Sequence, residues 1–316
     1  MSPASPSAAS AAARAAAPRP WLRCWAPRAN PAGRIVCFPH AGGSASFFHR
    51  WRTLVGPETE LWAVQYPARE DRISEPPARS VDELVAGVLG ELPPLLDRPT
   101  VLFGHSMGAS VAYETAVALS RRGGPGPRAV VVSARRPPGR HVPSVPGGKL
   151  TDELVEQSIR MLGGTAVELL EQPEMREFIL TLVANDYRLI DAYEPTDPPR
   201  LDIPLVAFAA VDDPGVPVPE AERWADLAPP GFELVLFPGG HFYLADQAAS
   251  VAAAVGEVLD RAIRGAAADG GSGAASSSTG PAGSSATSAS DRTSTSTSDG
   301  DSLTGAVAAT PGGWSR

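Results

Sequence analysis

The chain has 316 residues, 43% of them hydrophobic, and a formal net charge of -8. That length suits one sizeable globular domain with extensions, and the acidic balance argues against bulk nucleic-acid binding. The two cysteines, Cys24 and Cys37, are too few for a disulfide framework and lack metal-ligand spacing, and no Cys/His cluster suggests zinc.

Residues 1–20 are Ala, Ser and Pro with scattered Arg, a low-complexity segment expected to be disordered. The segment holds neither the apolar core of a signal peptide nor a stretch long enough to span a bilayer. No membrane partner is therefore expected, and a reducing cytoplasm is the default location. Trp21 to Trp25 reads as a short edge strand, and Arg34 to Phe38 as a buried one. The loop Pro39-His40-Ala41-Gly42-Gly43-Ser44 follows, then a helix from Ser46 to Leu54 and a strand from Leu61 to Tyr66. Ser80 to Leu96 is expected to be helical, with Ser80 as N-cap and Glu83 completing a capping box. Strands are expected at Thr100 to Phe103 and Arg128 to Ser133, with a helix from Ala109 to Arg122 between them.

From Arg135 to Pro199 the strand signal disappears. Helical patterns cover Thr151 to Met161, Ala166 to Glu171 and Pro173 to Tyr193. Leu205 to Ala210 restores the strand pattern, Pro219 to Leu227 is helical, Glu233 to Phe237 is the last strand, and Gln247 to Arg264 is the last helix. Strands alternating with helices imply an α/β fold with a mostly parallel sheet and helices on both faces. The all-helical insertion at about 135–199 has the character of a lid. The tail, 265–316, is Gly, Ser, Thr and Ala and is expected to be disordered, so the folded domain is expected to span 21–264.

The chemistry centres on Gly104-His105-Ser106-Met107-Gly108, a G-x-S-x-G placed between a strand and a helix. That context makes it a nucleophile elbow. The turn is so tight that Ser106 must adopt a strained backbone conformation, and a Cβ at Gly104 or Gly108 would collide with neighbouring chain. Ser106 Oγ then stands beside the first N–H groups of a helix, where a developing oxyanion is stabilised.

An elbow serine requires an acid and a histidine later in the chain. Of the five histidines, His105 adjoins the serine and cannot face its Oγ, and His40 and His49 precede the elbow. His141 has no strand-end acid between it and Ser106. His241 follows the last strand and lies at the carboxyl edge of the sheet, where open α/β folds bind ligands; it is the expected general base. The strand Leu205 to Ala210 ends in Val211-Asp212-Asp213, and one of these aspartates is the expected orienting acid. Spacing alone does not choose between them. One oxyanion donor is the Met107 N–H, and the loop after Phe38 supplies the other, from Ala41.

The stretches Phe38-Pro39-His40-Ala41-Gly42-Gly43, Gln65-Tyr66-Pro67-Ala68-Arg69-Glu70, Phe103-Gly104-His105-Ser106-Met107-Gly108, Ser133-Ala134-Arg135-Arg136-Pro137, Asp186-Tyr187-Arg188, Asp212-Asp213-Pro214 and Pro238-Gly239-Gly240-His241-Phe242 occur in this order. Together they resemble the free-standing type II thioesterases of polyketide and nonribosomal peptide assembly lines, members of the α/β-hydrolase superfamily. The likeness covers about 21–264. It implies Asp213 as the acid and the helical insertion as a lid over a substrate chamber. It further implies hydrolysis of acyl or aminoacyl thioesters on the phosphopantetheine arm of acyl or peptidyl carrier proteins, with no metal or diffusible cofactor, by an enzyme expected to be monomeric. The usual role of such enzymes is removal of aberrant groups that stall a synthase.

The same catalytic parts would serve a carboxylesterase acting on small oxygen esters. A type I thioesterase domain should follow a carrier domain, for which the short N-terminal segment leaves no room. Arg135, Arg136 and Arg140 with Lys149 follow a strand's carboxyl end, a position from which they could rim the active-site face for an acidic carrier; a solvated loop is the plainer reading.

Overall fold

The computed structural model describes residues 20–272 except 146 and 148. The expectations for 1–19 and for the tail beyond 272 lie outside the described residues. Seven strands form one sheet: β1 (Leu22–Ala26), β2 (Gly33–Phe38), β3 (Thr59–Val64), β4 (Thr100–His105), β5 (Ala129–Ser133), β6 (Leu205–Ala210) and β7 (Glu233–Phe237). Their order is β1-β3-β2-β4-β5-β6-β7. Only β1 runs antiparallel, pairing with β3 at the edge, and every other neighbour pairing is parallel.

β2, β4, β5 and β6 are buried at every position. This is why they read as continuous apolar runs rather than alternating ones: a parallel sheet is covered on both faces. Alternate side chains still part to opposite faces. Val36, Phe38, Leu102 and Val132 enter the cluster under α1 (Val81–Glu91) and α2 (Met107–Arg122). Ile35, Cys37, Val101, Phe103 and Phe208 enter a second cluster on the other face. The helix that closes this second face runs from Ala248.

Local chemistry explains where the elements depart from expectation. The segment after β2 is a 3-10 helix, Ala45–Thr53, and not an α-helix; its buried residues are Ala45, Phe48 and Trp51, one every third position, which matches three residues per turn. α1 ends at Glu91, and Pro93–Leu95 continues as 3-10 helix, because proline lacks the N–H and crowds the preceding turn. At its start the Glu83 N–H donates to Ser80 Oγ at 3.2 Å, while the Glu83 carboxylate accepts from the Arg79 N–H, one residue earlier than a standard capping box requires.

Between β5 and β6 the insertion contains α3 (Asp152–Leu162), α4 (Thr165–Leu170) and α5 (Pro173–Asp191). These helices bury a cluster of their own, including Val155, Ile159, Ile179 and Val183, while Leu189 and Ile190 at the end of α5 join the main core. After β6 come α6 (Val218–Glu222) and a 3-10 turn, Arg223–Leu227. After β7 come α7 (Tyr243–Asp246) and α8 (Ala248–Ser272). α8 passes the expected stop at Arg264, so the anticipated boundary at 264/265 falls inside a helix. The run Ala266-Ala267-Ala268 favours helix more strongly than the preceding Gly265 opposes it. Among the described residues no helix is long and apolar enough to cross a membrane.

Candidate active site

β4 is the central strand, and its end delivers the elbow. Ser106 sits at φ 53°, ψ -120°, a conformation that a non-glycine residue adopts only when its surroundings impose it. The impositions are visible. The Ser106 N–H donates to the Ser133 carbonyl at 2.8 Å, fastening the turn to β5. A Cβ on Gly104 would lie 2.2 Å from the Gly108 carbonyl oxygen, and a Cβ on Gly108 would lie 2.1 Å from the Phe38 carbonyl oxygen. Both glycines are therefore demanded by backbone packed on backbone.

His241 Nε2 lies 3.0 Å from Ser106 Oγ, and His241 Nδ1 lies 2.8 Å from Asp213 Oδ2. The other carboxylate oxygen, Asp213 Oδ1, accepts the Gly215 and Val216 N–H groups at 2.7 and 3.1 Å. With both oxygens held, the carboxylate has one orientation, and it fixes Nδ1 as the protonated nitrogen and leaves Nε2 free to accept from the serine. The Asp213 side chain has no exposed surface. Asp212 is exposed, and its backbone N–H is bonded to the Gly239 carbonyl. Three residues 135 and 28 positions apart thus meet at the carboxyl ends of β4, β6 and β7.

The other histidines are placed elsewhere. His105 is buried, with Nδ1 2.8 Å from Ser133 Oγ, which in turn meets Tyr243 Oη at 2.6 Å; burial holds it well below its ordinary value, so it is a neutral structural group. His141 pairs with Asp191 at 3.1 Å. His49 is exposed beside Arg52. His40 packs edge-on against Phe47 and Phe242; burial, followed by the charges of His241 and Arg69, pushes it down to about 3.

Among the described residues, the Ala41 and Met107 N–H groups donate no hydrogen bond, whereas the Gly42 N–H donates to Asp186 at 2.6 Å and the Gly43 N–H to the His40 carbonyl. Two unengaged donors therefore flank Ser106, one of them at the first position of α2, where the helix dipole favours negative charge.

Two cavities share Ser106 and His241. One, of about 540 Å³, runs under the helical insertion between Phe47, Ile159, Leu162, Ile179, Val183 and Phe242. The other, of about 220 Å³, is lined by Met107, Arg135, Ser158, Tyr187 and Val216. A further cavity of about 620 Å³, at the opposite ends of β4 and β5 by Pro99 and Arg128, holds no histidine or cysteine. Two of the four rim cations are not free to meet a partner. Arg135 is half-buried, desolvation lowers it to about 10, and it donates to Ser110 Oγ. Arg136 donates to the Gly215 carbonyl and pairs with Glu220.

Sequence reasoning missed Asp186 and Arg69, which form an ion pair behind the Ala41 loop. The signal was present in the unassigned motifs Gln65-Tyr66-Pro67-Ala68-Arg69 and Asp186-Tyr187-Arg188, but no spacing rule joins residues so distant in the chain.

A mostly parallel sheet with a strained serine turn at the end of its central strand, and helices inserted above it, defines an α/β-hydrolase. Residues 33–259 match the family described as the Thioesterase domain, and the chain belongs to that family. It is 41% identical over 246 residues to the "Probable cadicidin biosynthesis thioesterase" of Streptomyces griseus, covering 77% of this chain and 67% of that protein. It is 39% identical over 232 residues to "Thioesterase PikA5" of Streptomyces venezuelae, covering 72% and 81%. Among solved structures, the type II thioesterase BorB from the borrelidin biosynthetic cluster superposes with a TM-score of 0.68 at 36% identity, covering 76% of this chain and 97% of that one.

Proposed function

We propose that this thioesterase hydrolyses acyl or aminoacyl thioesters carried on the phosphopantetheine arm of carrier proteins, and so clears aberrant groups from a polyketide or nonribosomal peptide synthase. The observation that carries the reading is the hydrogen-bonded chain Ser106–His241–Asp213 at the meeting point of two cavities under the lid. The likeness to biosynthetic thioesterases supports the substrate class.

Ser106 Oγ attacks the thioester carbonyl as its proton passes to His241 Nε2, and Asp213 stabilises the imidazolium. The oxyanion of the tetrahedral intermediate faces the N–H groups of Ala41 and Met107. The C–S bond breaks, His241 returns the proton to the departing thiolate, and the acyl group remains as an ester on Ser106. Water, deprotonated by His241, then attacks that ester and releases the acid. The larger cavity, walled by Ile159, Ile179 and Val183, takes the acyl group, and residues 135–199 serve as the lid above it. No step requires a metal.

The test is a set of specificity constants for acetyl, propionyl and butyryl groups on a carrier protein, on coenzyme A and as oxygen esters. Carrier thioesters are expected to be preferred, with weak chain discrimination, since one methylene in an apolar pocket is worth about 1–3 kcal/mol. Equal constants on carrier and coenzyme A would remove carrier docking. Faster oxygen-ester turnover would make the enzyme a carboxylesterase.

A further inference from the structure

The proposed oxyanion donor Ala41 lies in a loop that has little structure of its own. What holds the loop is a buried ion pair. Asp186, on α5, accepts the Gly42 N–H at 2.6 Å and pairs through the same oxygen with Arg69. Arg69 donates from Nε to the Gly43 carbonyl at 2.8 Å and from one terminal nitrogen to the Pro67 carbonyl at 2.7 Å. The two side chains are only 3% and 5% exposed. The residue after Ala41 thus donates into the pair and the next one accepts from it, so the peptide carrying the Ala41 N–H is anchored immediately downstream.

Two further observations show that the arrangement is built for this loop. Arg69 is flanked by Ala68 at φ 64° and Glu70 at φ 47°. Two strained non-glycine residues around one arginine indicate a loop shaped to aim it, because such a backbone persists only where its surroundings compensate. On α5, Val183 lies one turn before Asp186, and a Cβ on Gly42 would come within 2.7 Å of Val183 Cγ2. The same helix face therefore grips the loop by a charge-assisted hydrogen bond and by close contact. Gly42 itself sits at φ 75°, where a larger residue would be strained as well.

We infer that Arg69 and Asp186 are positioning residues for the thioester reaction: they hold the Ala41 N–H where the oxyanion forms, and they make that placement depend on the lid helix α5 being seated. This rests on the reading of Ser106 as nucleophile and Ala41 as donor. The oxyanion hole is then shared between body and lid, with Met107 supplied by the elbow and Ala41 held from the lid.

The test compares the wild type with Asp186→Ala, Asp186→Asn, and the double variant Arg69→Met/Asp186→Leu, which leaves no buried charge unpaired. Turnover of a butyryl thioester of N-acetylcysteamine is normalised to the fraction of Ser106 that a fluorophosphonate labels at completion, so loss of folded protein does not count. Removal of one oxyanion donor lowers kcat by about 10²–10³. Asp186→Ala and the double variant should lose on the order of 10² in kcat with KM nearly unchanged. Affinity for an acyl trifluoromethyl ketone, which forms a tetrahedral oxyanion on the serine, should fall in parallel. Asp186→Asn, which keeps an acceptor for the Gly42 N–H, should recover much of that loss. A double variant with wild-type kcat, or variants that raise KM alone, would overturn the inference. If Ser106→Ala and His241→Ala are inactive while these variants are not, the inference fails and the proposed reaction stands. If Ser106→Ala still turns over, the reaction itself has been misassigned.

Discussion

The strand ends that carry Ser106, Asp213 and His241 and the helical insertion above them are built on different physical terms. β4, β5 and β6 are buried along their whole length and separate two large apolar clusters. The strained Ser106 turn stands on that sheet, bonded to β5 and wedged between glycines that admit no side chain. The insertion buries a smaller, separate cluster. It meets the body through the last turn of α5, where Leu189 and Ile190 join the core, through the Asp186–Arg69 pair, and through the Tyr193 hydroxyl on Glu114. The comparison teaches that the proposed reacting atoms stand on the part of the chain with the larger cores. The wall proposed to meet the acyl group belongs to the insertion, whose own apolar cluster is smaller and therefore gives less resistance to repacking.

The sharpest way to separate the two regions is at the proposed nucleophile. Ser106→Ala should lower kcat by about 10⁴-fold or more and leave the melting temperature unchanged, since the lid and both clusters are untouched. A variant that keeps most of its activity would sink the assignment of Ser106.

The acid comes next. Asp213→Asn should cost about 10²–10⁴ in kcat by favouring the wrong histidine tautomer. Asp212→Asn, on the exposed neighbour, should change it by no more than about twofold. A larger loss at Asp212 would show that the orienting carboxylate has been displaced by one residue.

A pair of core truncations then tests body against lid. Val131→Ala, in the middle of β5, should cost about 2 kcal/mol of stability in urea unfolding and leave the acyl-chain profile unmoved. Ile159→Ala, on the lid wall of the larger cavity, should shift the ratio of specificity constants for octanoyl over acetyl thioesters by about tenfold. Equal shifts from both would mean that sheet and lid form one rigid wall.

The smallest effect concerns pH. His40 is held at about 3 and His105 is also lowered, both chiefly by burial. In the unfolded chain each regains its ordinary 6.5. Below that value the unfolded state binds more protons, so stability is full above pH 6.5 and falls as the pH drops towards the folded values. Between pH 7.5 and 5.5 each histidine should remove about 1 kcal/mol from the unfolding free energy. His40→Asn should flatten part of that slope, and a level stability profile across the window would contradict the buried neutral state.

Much of the fold was legible because the physics involved is local. Apolar runs bounded by turn residues mark β2, β4, β5 and β6, and Leu205–Ala210 agrees with its sequence reading at both ends. The elbow was legible too, since glycine, serine and glycine between strand and helix leave few conformations. Less legible were the 3-10 helix at Ala45–Thr53, whose three-residue burial repeat resembles an amphipathic helix, and the end of α8, where alanines carry the helix past a glycine.

By itself the sequence determined the strained serine turn and an all-helical insertion between two strands, and it pointed to the order serine, acid, histidine for the proposed triad. Spacing narrowed the proposed acid to Asp212 or Asp213, the family resemblance chose Asp213, and neither had a means of seeing the Arg69–Asp186 pair. Those were decided in three dimensions. Which aspartate points at His241 depends on the course of the chain after β6, where the Gly215 and Val216 N–H groups capture one oxygen of Asp213. The partner of Arg69 lies 117 residues away, on a helix that meets the loop at 40–43 only in the folded chain. Hydrogen-bond periodicity along a chain is a short-range property, whereas the pairing of buried charges is settled by which surfaces exclude water together.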